Sequence, residues 1–428
     1  MEPFTASKAC RVAAAVTSLF IAACSTPPGN DGGTTDTGTG TDAAGDGGAT
    51  MLPIDCRIDG RRQVADQDPR CAEHSENNIG TGPAFGAQFG QGFLDSGHII
   101  FSAGQPLGDA WAIYSLDPDT MARTVVSGTY QDPRTGMMTV GTGPTIRYVY
   151  DAIRGPDGAY YFFVTDSNHM GSTWGSSLID DSVIMRVDPH TGDRTEVLDF
   201  AQASTACTTT GGTRLYPEDV LVVGGDNQDY LSFDIAPDGT FYVSIGRDLG
   251  GMRRWGGIAA FTGGHCRIVS LYDSMGTDNV GTGIDLANGG PAVVRLAGPH
   301  AYVIPQRVYS VVEIDLATGN RTVLSTADTH VAAVGTGPGI HPDYMYLAPD
   351  GRIWTSGGGD ITQSSITVVD PATGNRVDYE PARYVQSGRN AHELYGVDPA
   401  RSFVYYSDHN PTIGVLEYTT GNYNIIME

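Results

Sequence analysis

Carboxylates and imidazoles stand near the start of several short apolar runs, and these residue types could bind a metal ion. Calcium takes roughly 6 to 8 oxygen ligands, and several transition metals prefer imidazole nitrogen. The candidates for a site holding calcium or another divalent cation are Asp151, Asp234, His341, Asp343, His392 and Glu393. An isolated histidine is more often a hydrogen-bonded wall residue, and this alternative stays open for both histidines. No Gly-x-Ser-x-Gly elbow is present, so no catalytic nucleophile is assigned.

A second set of candidates lies in two long stretches without clear periodicity, residues 165–182 and 246–265. Tryptophan and arginine are the side chains that most often anchor a partner, and long loops on a rigid scaffold commonly carry binding. The candidates for a binding rim are His169, Trp174, Asp248, Arg253, Arg254 and Trp255. The alternative, in which both tryptophans fold back onto the core, stays open.

A repeated phrase indicates the scaffold that must position these residues. VVDPATGNRVDYE at 368–380 has close relatives at 115–127, 186–198 and 313–325, and a degenerate copy at 416–427. A sixth copy is assigned to IVSLYDSMGTDN at 268–279. The copies recur at intervals of 43 to 84 residues. This spacing, with strand–turn–strand content, is typical of a radial or stacked repeat architecture.

Two further phrases complete the unit. Pro-Asp-Gly turns, as in LAPDGRIWTSG at 347–357, predict hairpins. Val-Gly-Thr-Gly phrases, as in VGTGP at 334–338, predict a backbone crossing where a side chain does not fit. Each unit therefore contains four antiparallel strands, and about six units predict an all-β, six-bladed β-propeller. Seven blades or another β repeat, such as a solenoid, are the alternatives.

Through these phrases, residues 79–428 resemble the six-bladed propellers of the NHL-repeat, streptogramin lyase-like and gluconolactonase-like group. The resemblance implies a central channel, which holds a metal ion in the gluconolactonase-like members and a functional histidine in the lyase-like members. His392 and His341 are candidate counterparts of that histidine. The fold serves binders, scaffolds and enzymes alike, so the resemblance does not decide the function.

The N-terminus predicts export and lipidation. Residues 1–23 have basic side chains followed by an apolar run too short to span a bilayer, and Ile21–Cys24 resembles the lipobox of bacterial lipoproteins. The resemblance implies diacylglycerol and acyl groups on Cys24, and placement in the cell envelope, on the outer membrane or cell surface. Residues 24–51 predict a flexible tether and 52–78 a short polar segment. An ordinary secretory signal is the alternative.

The composition limits the partners. The formal net charge of −24 disfavours nucleic acid, because binding to a phosphate backbone depends on cations that displace counterions. The even number of later cysteines predicts two disulfides in an exported chain, and we favour the pairs Cys56–Cys71 and Cys207–Cys266. Buried free thiols are the alternative.

The sequence favours a monomeric, membrane-tethered binding module that recognises an envelope or extracellular protein or a small ligand. The first alternative is a metal-dependent lyase or hydrolase that uses the channel. The second is a structural surface repeat protein.

Overall fold

The computed structural model covers a chain that divides into two units, residues 1–50 and residues 51–428. All described residues belong to the second unit, and they begin with two paired strands, β1 (Ile58–Asp59) and β2 (Arg62–Gln63). Beyond these, the structure describes residues 82–83, 85 and 89–427, except for 105–110, 133–134, 166–182, 201–206, 209–213, 216–231, 249–253, 277, 287–290, 306–308, 327–331, 341–343, 358–364, 380–390, 409–412 and 420–421.

The next strands form three antiparallel blades. Blade 1 contains β3 (Phe89–Asp95), β4 (His98–Gly104), β5 (Trp111–Leu116), β6 (Arg123–Asp132) and β7 (Gly136–Val140). Blade 2 contains β8 (Tyr148–Arg154), β9 (Tyr160–Thr165), β10 (Val183–Val187) and β11 (Arg194–Asp199). Blade 3 contains β14 (Phe233–Ile235), β15 (Phe241–Asp248), β16 (Arg254–Thr262) and β17 (His265–Asp273), with β12 (Cys207–Thr208) and β13 (Arg214–Leu215) added beside β17.

The remaining strands form three more blades. Blade 4 contains β18 (Pro291–Ala297), β19 (His300–Pro305), β20 (Ser310–Asp315) and β21 (Arg321–Thr326). Blade 5 contains β22 (Tyr344–Leu347), β23 (Ile353–Gly357), β24 (Ser365–Val369) and β25 (Arg376–Asp378). Blade 6 contains β26 (Ala391–Asp398), β27 (Phe403–Asp408), β28 (Ile413–Glu417) and β29 (Asn422–Met427).

The blades close into a six-bladed β-propeller, as the repeats predict, and the seven-blade alternative is wrong. Six apolar clusters lie between successive blades, and one of them joins blade 6 back to blade 1. In this last cluster Tyr395 of blade 6 packs against Phe101 of blade 1, with ring centroids 6.4 Å apart. Arg401 of blade 6 also forms an ion pair with Asp119 of blade 1. The part of the chain that the structure describes includes no helix long and apolar enough to cross a membrane.

The repeated aspartates form the turns that the sequence predicts. Asp370, in the turn between the third and fourth strands of blade 5, accepts hydrogen bonds from the Ala372 amide (2.9 Å) and the Thr373 hydroxyl (2.8 Å). The hydrogen bonds from Thr373 and Ala372 lower the pKa of Asp370. In the Pro-Asp-Gly turns, Asp350 likewise accepts from the Arg352 amide. Side-chain to backbone bonds of this kind define Asx turns, so these carboxylates are structural.

The arginine of each complete repeat joins one blade to the crossing that precedes it. Arg376 Nε donates to the Pro338 carbonyl (2.7 Å), and Nη1 donates to Ser325 Oγ (2.8 Å), the Thr326 carbonyl (3.2 Å) and the Val334 carbonyl (2.9 Å). Arg194 and Arg321 make the corresponding contacts. We call each of these buried arginines, with its acceptors, an arginine lock.

The glycines of the Val-Gly-Thr-Gly phrases are required by this lock. Gly337 has φ +123°, and a Cβ there would overlap the backbone of Arg376. Gly335 has φ +72°, and a Cβ there would overlap the carbonyl of Gly374. Both the backbone conformation and the close approach exclude other residues. The predicted crossing is therefore confirmed, and it lies against the turn of the next blade.

An additional lock lies at the seam where blade 1 meets blade 6. Arg123 Nε donates to the Pro83 carbonyl (3.2 Å), and its guanidinium lies 5.6 Å from the Phe85 ring centroid. Gly82, with φ +122°, lies against the Arg123 carbonyl as the later glycines do. Phe85 is buried in the cluster that joins blades 1 and 6. Residues upstream of the first blade therefore contribute to the closure of the ring.

The sixth copy of the repeat was assigned wrongly. The turn between the third and fourth strands of blade 3 lies at Gly263–Gly264, between β16 and β17, and residues 268–279 instead run through β17 into the next turn. The long loop predicted at 246–265 is also wrong, because most of these residues belong to β15 and β16. Small residues there resemble a loop in sequence, but Gly257 is needed because a Cβ would overlap the Ser270 carbonyl.

Candidate functional site

Three of the candidate carboxylates lie on innermost strands, which line the propeller axis. Asp151 lies on β8 of blade 2, Asp234 on β14 of blade 3 and Glu393 on β26 of blade 6. Pro-Asp-Gly turns follow β8 and β14, and a tight turn at 399–402 follows β26, so the strands begin at the opposite face, where the longer connections lie. The structure therefore places these three residues on the channel wall, toward the face with long loops.

Asp151 is held by a cation that the sequence analysis did not select. Arg295, on β18 of blade 4, donates through Nη2 to Asp151 Oδ1 (2.8 Å) and through Nη1 to Oδ2 (2.9 Å). Asp151 Oδ2 also accepts from Ser232 Oγ (2.5 Å) and the Phe233 amide (3.1 Å). The bidentate pair connects blades 2 and 4, and the bonds from Ser232 and Phe233 add blade 3. Both carboxylate oxygens of Asp151 are thereby engaged.

Backbone carbonyls of the channel wall also hold Arg295 in place. Its Nη1 also donates to the Val294 carbonyl (2.7 Å) and the Phe233 carbonyl (3.3 Å). Its side chain is 16% exposed, whereas that of Asp151 is 4% exposed. Burial lowers the pKa of Arg295, but the charges of Asp151 and Asp234 outweigh this effect and raise it. Arg295 therefore remains a cation inside the channel.

Asp234 lies beside this pair. Its Oδ1 accepts from its neighbour's amide, that of Ile235 (2.7 Å), and its Oδ2 accepts from the Leu296 amide (2.7 Å). Burial raises the pKa of Asp234, and the nearby negative charge of Asp151 adds to the effect, while Arg295 opposes it. The carboxylate thus joins blades 3 and 4 while retaining a proton more readily than a free aspartate.

Glu393 is a second acid of the site whose pKa is raised. Burial raises its pKa to about 8. A hydrogen bond from Ser407 Oγ to Oε2 (3.4 Å) lowers the pKa, and the charge of Asp151 raises it. An acid with a pKa near neutrality can both give and accept a proton, which is the property of a general acid–base group.

The candidate metal ligands do not all fall within the described residues. His341 and Asp343 lie outside them, and the side chain of His392 is also outside, although its backbone belongs to β26. Among the residues that the structure does describe, no group of three or more His, Cys, Asp or Glu side chains could hold a metal ion. Asp151 and Asp234 do not form such a group, because Arg295 and backbone amides take their oxygens.

One residue of the predicted binding rim is described completely. Trp255 is 6% exposed and its Nε1 donates to Asp273 Oδ1 (3.1 Å), so it packs within blade 3 as the alternative allowed. Asp248 and Arg254 face each other across β15 and β16, but their side chains lie outside the described residues. His169, Trp174 and Arg253 also lie outside them.

The predicted cysteine pairs have different outcomes. Cys207 and Cys266 form a disulfide, with a Cα–Cα distance of 4.5 Å, which is the pairing that the sequence analysis favoured. Cys56 and Cys71 lie outside the described residues, and so does Cys24.

Sequence reasoning missed Arg295 and its partner Ser232. A signal was present, since Arg295 interrupts the apolar run PAVVRLA, and an arginine in a buried strand needs a partner. The identity of that partner could not be inferred, because 144 residues separate Arg295 from Asp151.

No family model and no curated protein match the chain. Among solved structures, it is similar to a streptogramin B lyase at 14% identity, covering 82% of this chain and 85% of that one, with a TM-score of 0.40. It is also similar to a Bacteroides thetaiotaomicron protein of unknown function at 9% identity, covering 79% and 71%, with a TM-score of 0.45. TolB from Acinetobacter baumannii matches at 13% identity over 68% and 54%, with a TM-score of 0.36. Similarities at this level say nothing about which residues act.

Proposed function

We propose that this chain is a binding module whose ligand enters the central channel from the long-loop face. The observation that carries the proposal is the polar cluster of Asp151, Asp234, Arg295 and Glu393, drawn from four blades to the axis. The clusters between the blades are apolar, and they would hold the ring together without these ionisable groups. Burying a charge costs several kcal/mol even when it is paired, roughly as much as a good core contact contributes. A binding role offers a reason for that cost.

The chemistry of the cluster favours a ligand with hydrogen-bond donors or positive charge. The cluster contains three carboxyl groups and one guanidinium, and Asp151 already occupies that guanidinium. The chain carries a formal charge of −24, which attracts cations and repels anions. The ligand is a small polar molecule with such groups, or an envelope or extracellular protein that presents one to the long-loop face.

The proposal can be tested by thermal unfolding in the presence of a panel of small amines, amino sugars and neutral polyols. Ligands that raise the midpoint of the wild-type chain should fail to do so in an Asp234→Asn/Glu393→Gln variant. Glu196→Gln, at an exposed site on β11, is the matched control and should respond as wild type does. Equal responses of all three proteins would place binding elsewhere, and no response to any compound would favour the structural repeat protein.

We also propose that the protein is anchored to the cell envelope through Cys24. The support is the order of basic residues, apolar run, small residues and cysteine in residues 1–24. Each buried methylene contributes about 0.8 kcal/mol, so two or more acyl chains give a stable anchor. Labelled palmitate should be incorporated into the wild-type chain and not into a Cys24→Ser variant. Release of the unmodified wild-type chain into the medium would contradict the anchor.

An enzyme is the second candidate, and Glu393 is the observation that favours it. A buried acid with a pKa of about 8 can exchange a proton with a bound substrate near neutral pH. A lyase or hydrolase of this kind would lose turnover in a Glu393→Gln variant while still binding its substrate. Elemental analysis of the purified protein, before and after chelation, would decide whether a divalent cation takes part.

A further inference from the structure

The disulfide occupies the place that an arginine lock occupies elsewhere in the ring. Cys266 stands two residues after the turn glycine Gly264, as Arg321 stands two residues after Gly319. Its partner Cys207 lies on the crossing from blade 2 to blade 3, immediately before Thr208. The two cysteines thus lie on the same two segments that an arginine lock joins.

The strand pairing shows which residues of the two junctions correspond to each other. At the junction of blades 3 and 4, Gly283 pairs in parallel with Arg321. At the junction of blades 2 and 3, Thr208 pairs in parallel with Arg267. Moving one residue back on both segments brings Cys207 to the position of Gly283 and Cys266 to the position of Arg321. Two cysteines therefore stand at this junction where a glycine and an arginine stand at the next one.

The junction of blades 2 and 3 also lacks the serine that completes an arginine lock. Ser325 of blade 4 bonds both to Arg376 and to the Gly374 carbonyl of blade 5, and it lies six residues after the turn glycine of its own blade. The sixth residue after the turn glycine of blade 2 is Leu198. Leu198 packs against the apolar cluster between blades 2 and 3 and offers no acceptor. An arginine at position 266 would therefore lose one of its partners.

We propose that the Cys207–Cys266 disulfide is the covalent counterpart of the arginine lock, and that it makes the stability of the ring depend on redox state at this one junction. The exposed fractions are 1% for Cys207 and 8% for Cys266, so a reductant reaches the bond only when blade 3 opens locally. In an oxidising compartment the junction is locked. In a reducing compartment this covalent link is absent, and the contacts between blade 3 and the described part of the crossing are the apolar cluster and the short strand pairing.

The experiment compares three proteins in a Cys56→Ala/Cys71→Ala background, so that Cys207 and Cys266 are the cysteines left after residue 24. The first keeps Cys207 and Cys266. The second replaces both with alanine. The third carries Cys207→Gly, Cys266→Arg and Leu198→Ser, which rebuilds an arginine lock. Thermal unfolding is measured with and without a phosphine reductant, and peptide mapping of the oxidised protein checks the bond.

The reductant should lower the midpoint of the first protein by about 5 to 10 °C and leave the other two unchanged. The rebuilt lock should unfold at a higher temperature than the alanine variant. Equal midpoints for the oxidised cysteine protein and the alanine variant would overturn the proposal, as would a rebuilt lock no better than alanine. If the rebuilt protein fails to fold, the reductant response of the first protein and free thiols at either position in the peptide map still decide the redox claim.

Discussion

Replacing Glu393 with glutamine should change how the free energy of unfolding depends on pH. The ordinary pKa of a glutamate side chain is 4.5, and burial raises that of Glu393 to about 8. The folded chain therefore binds this proton more tightly than the unfolded chain does. Glutamine has a similar shape, accepts the same hydrogen bond from Ser407 and does not titrate in this range. The substitution removes the protonation without removing the packing.

The sign and the size follow from linkage. Below about pH 4.5 both states are protonated and the contribution of Glu393 is fully present. Between about pH 4.5 and 8 the unfolded chain loses the proton and the folded chain retains it, so the free energy of unfolding falls as pH rises. At about 1.36 kcal/mol per pKa unit the loss is roughly 5 kcal/mol, an upper limit because relaxation and water entry reduce it.

The assay is urea unfolding at several pH values between 4.5 and 8.5. The Glu393→Gln variant should match the wild type within about 1 kcal/mol at pH 4.5 and exceed it by a few kcal/mol at pH 8. Glu196→Gln, at an exposed position, should show no such divergence. Parallel pH profiles for the wild type and Glu393→Gln would refute the reasoning, because they would show that the folded chain does not hold this proton.

Three further substitutions test the locks and the channel pair. Arg376→Lys should lower the free energy of unfolding by about 2–4 kcal/mol, since an ammonium cannot reach all of the acceptors, and an unchanged urea midpoint would contradict the lock. Gly143→Ala should lower the free energy of unfolding by at least as much, because the added Cβ would overlap the Arg194 carbonyl. Gly97→Ala is the control: its added Cβ meets no neighbour, and it should lower the free energy of unfolding by about 1 kcal/mol. Equal thermal midpoints for the two variants would contradict the close approach at Gly143. Arg295→Met should cost about 3–5 kcal/mol by leaving Asp151 unpaired, and adding Asp151→Asn should recover part of that loss in a double-mutant cycle.

The repeats made the architecture predictable because each phrase encodes a local conformation. Asp370 and its equivalents form Asx turns from contacts within a few residues, and the positive φ of Gly337 follows from a need that only glycine meets. The three phrases together define a unit of four strands, and about six such units along the chain are typical of a propeller. The copy in blade 3 is hard to find because its turn, AFTGGHC at 260–266, has neither the aspartate nor the arginine of the phrase.

The channel was only partly predictable. The sequence suggested Asp151, Asp234 and Glu393 because they stand near the starts of inner strands, and the structure places all three on the channel wall. It gave no indication that Arg295 would take both oxygens of Asp151, since that contact forms between blades distant in sequence. The burial of Trp255 was likewise undecided, because an apolar ring serves a rim and a core equally well.

The sequence alone determined what depends on neighbours along the chain: the turns, the glycine crossings, the four-stranded unit and the approximate number of units. The tertiary structure decided what depends on ring closure: which arginine meets which carbonyl, which carboxyl group faces a cation, and how far Glu393 is removed from water. The physical reason is range. Backbone conformation is set within a few residues, whereas desolvation and charge pairing at the axis arise only when blades that are distant in sequence come together.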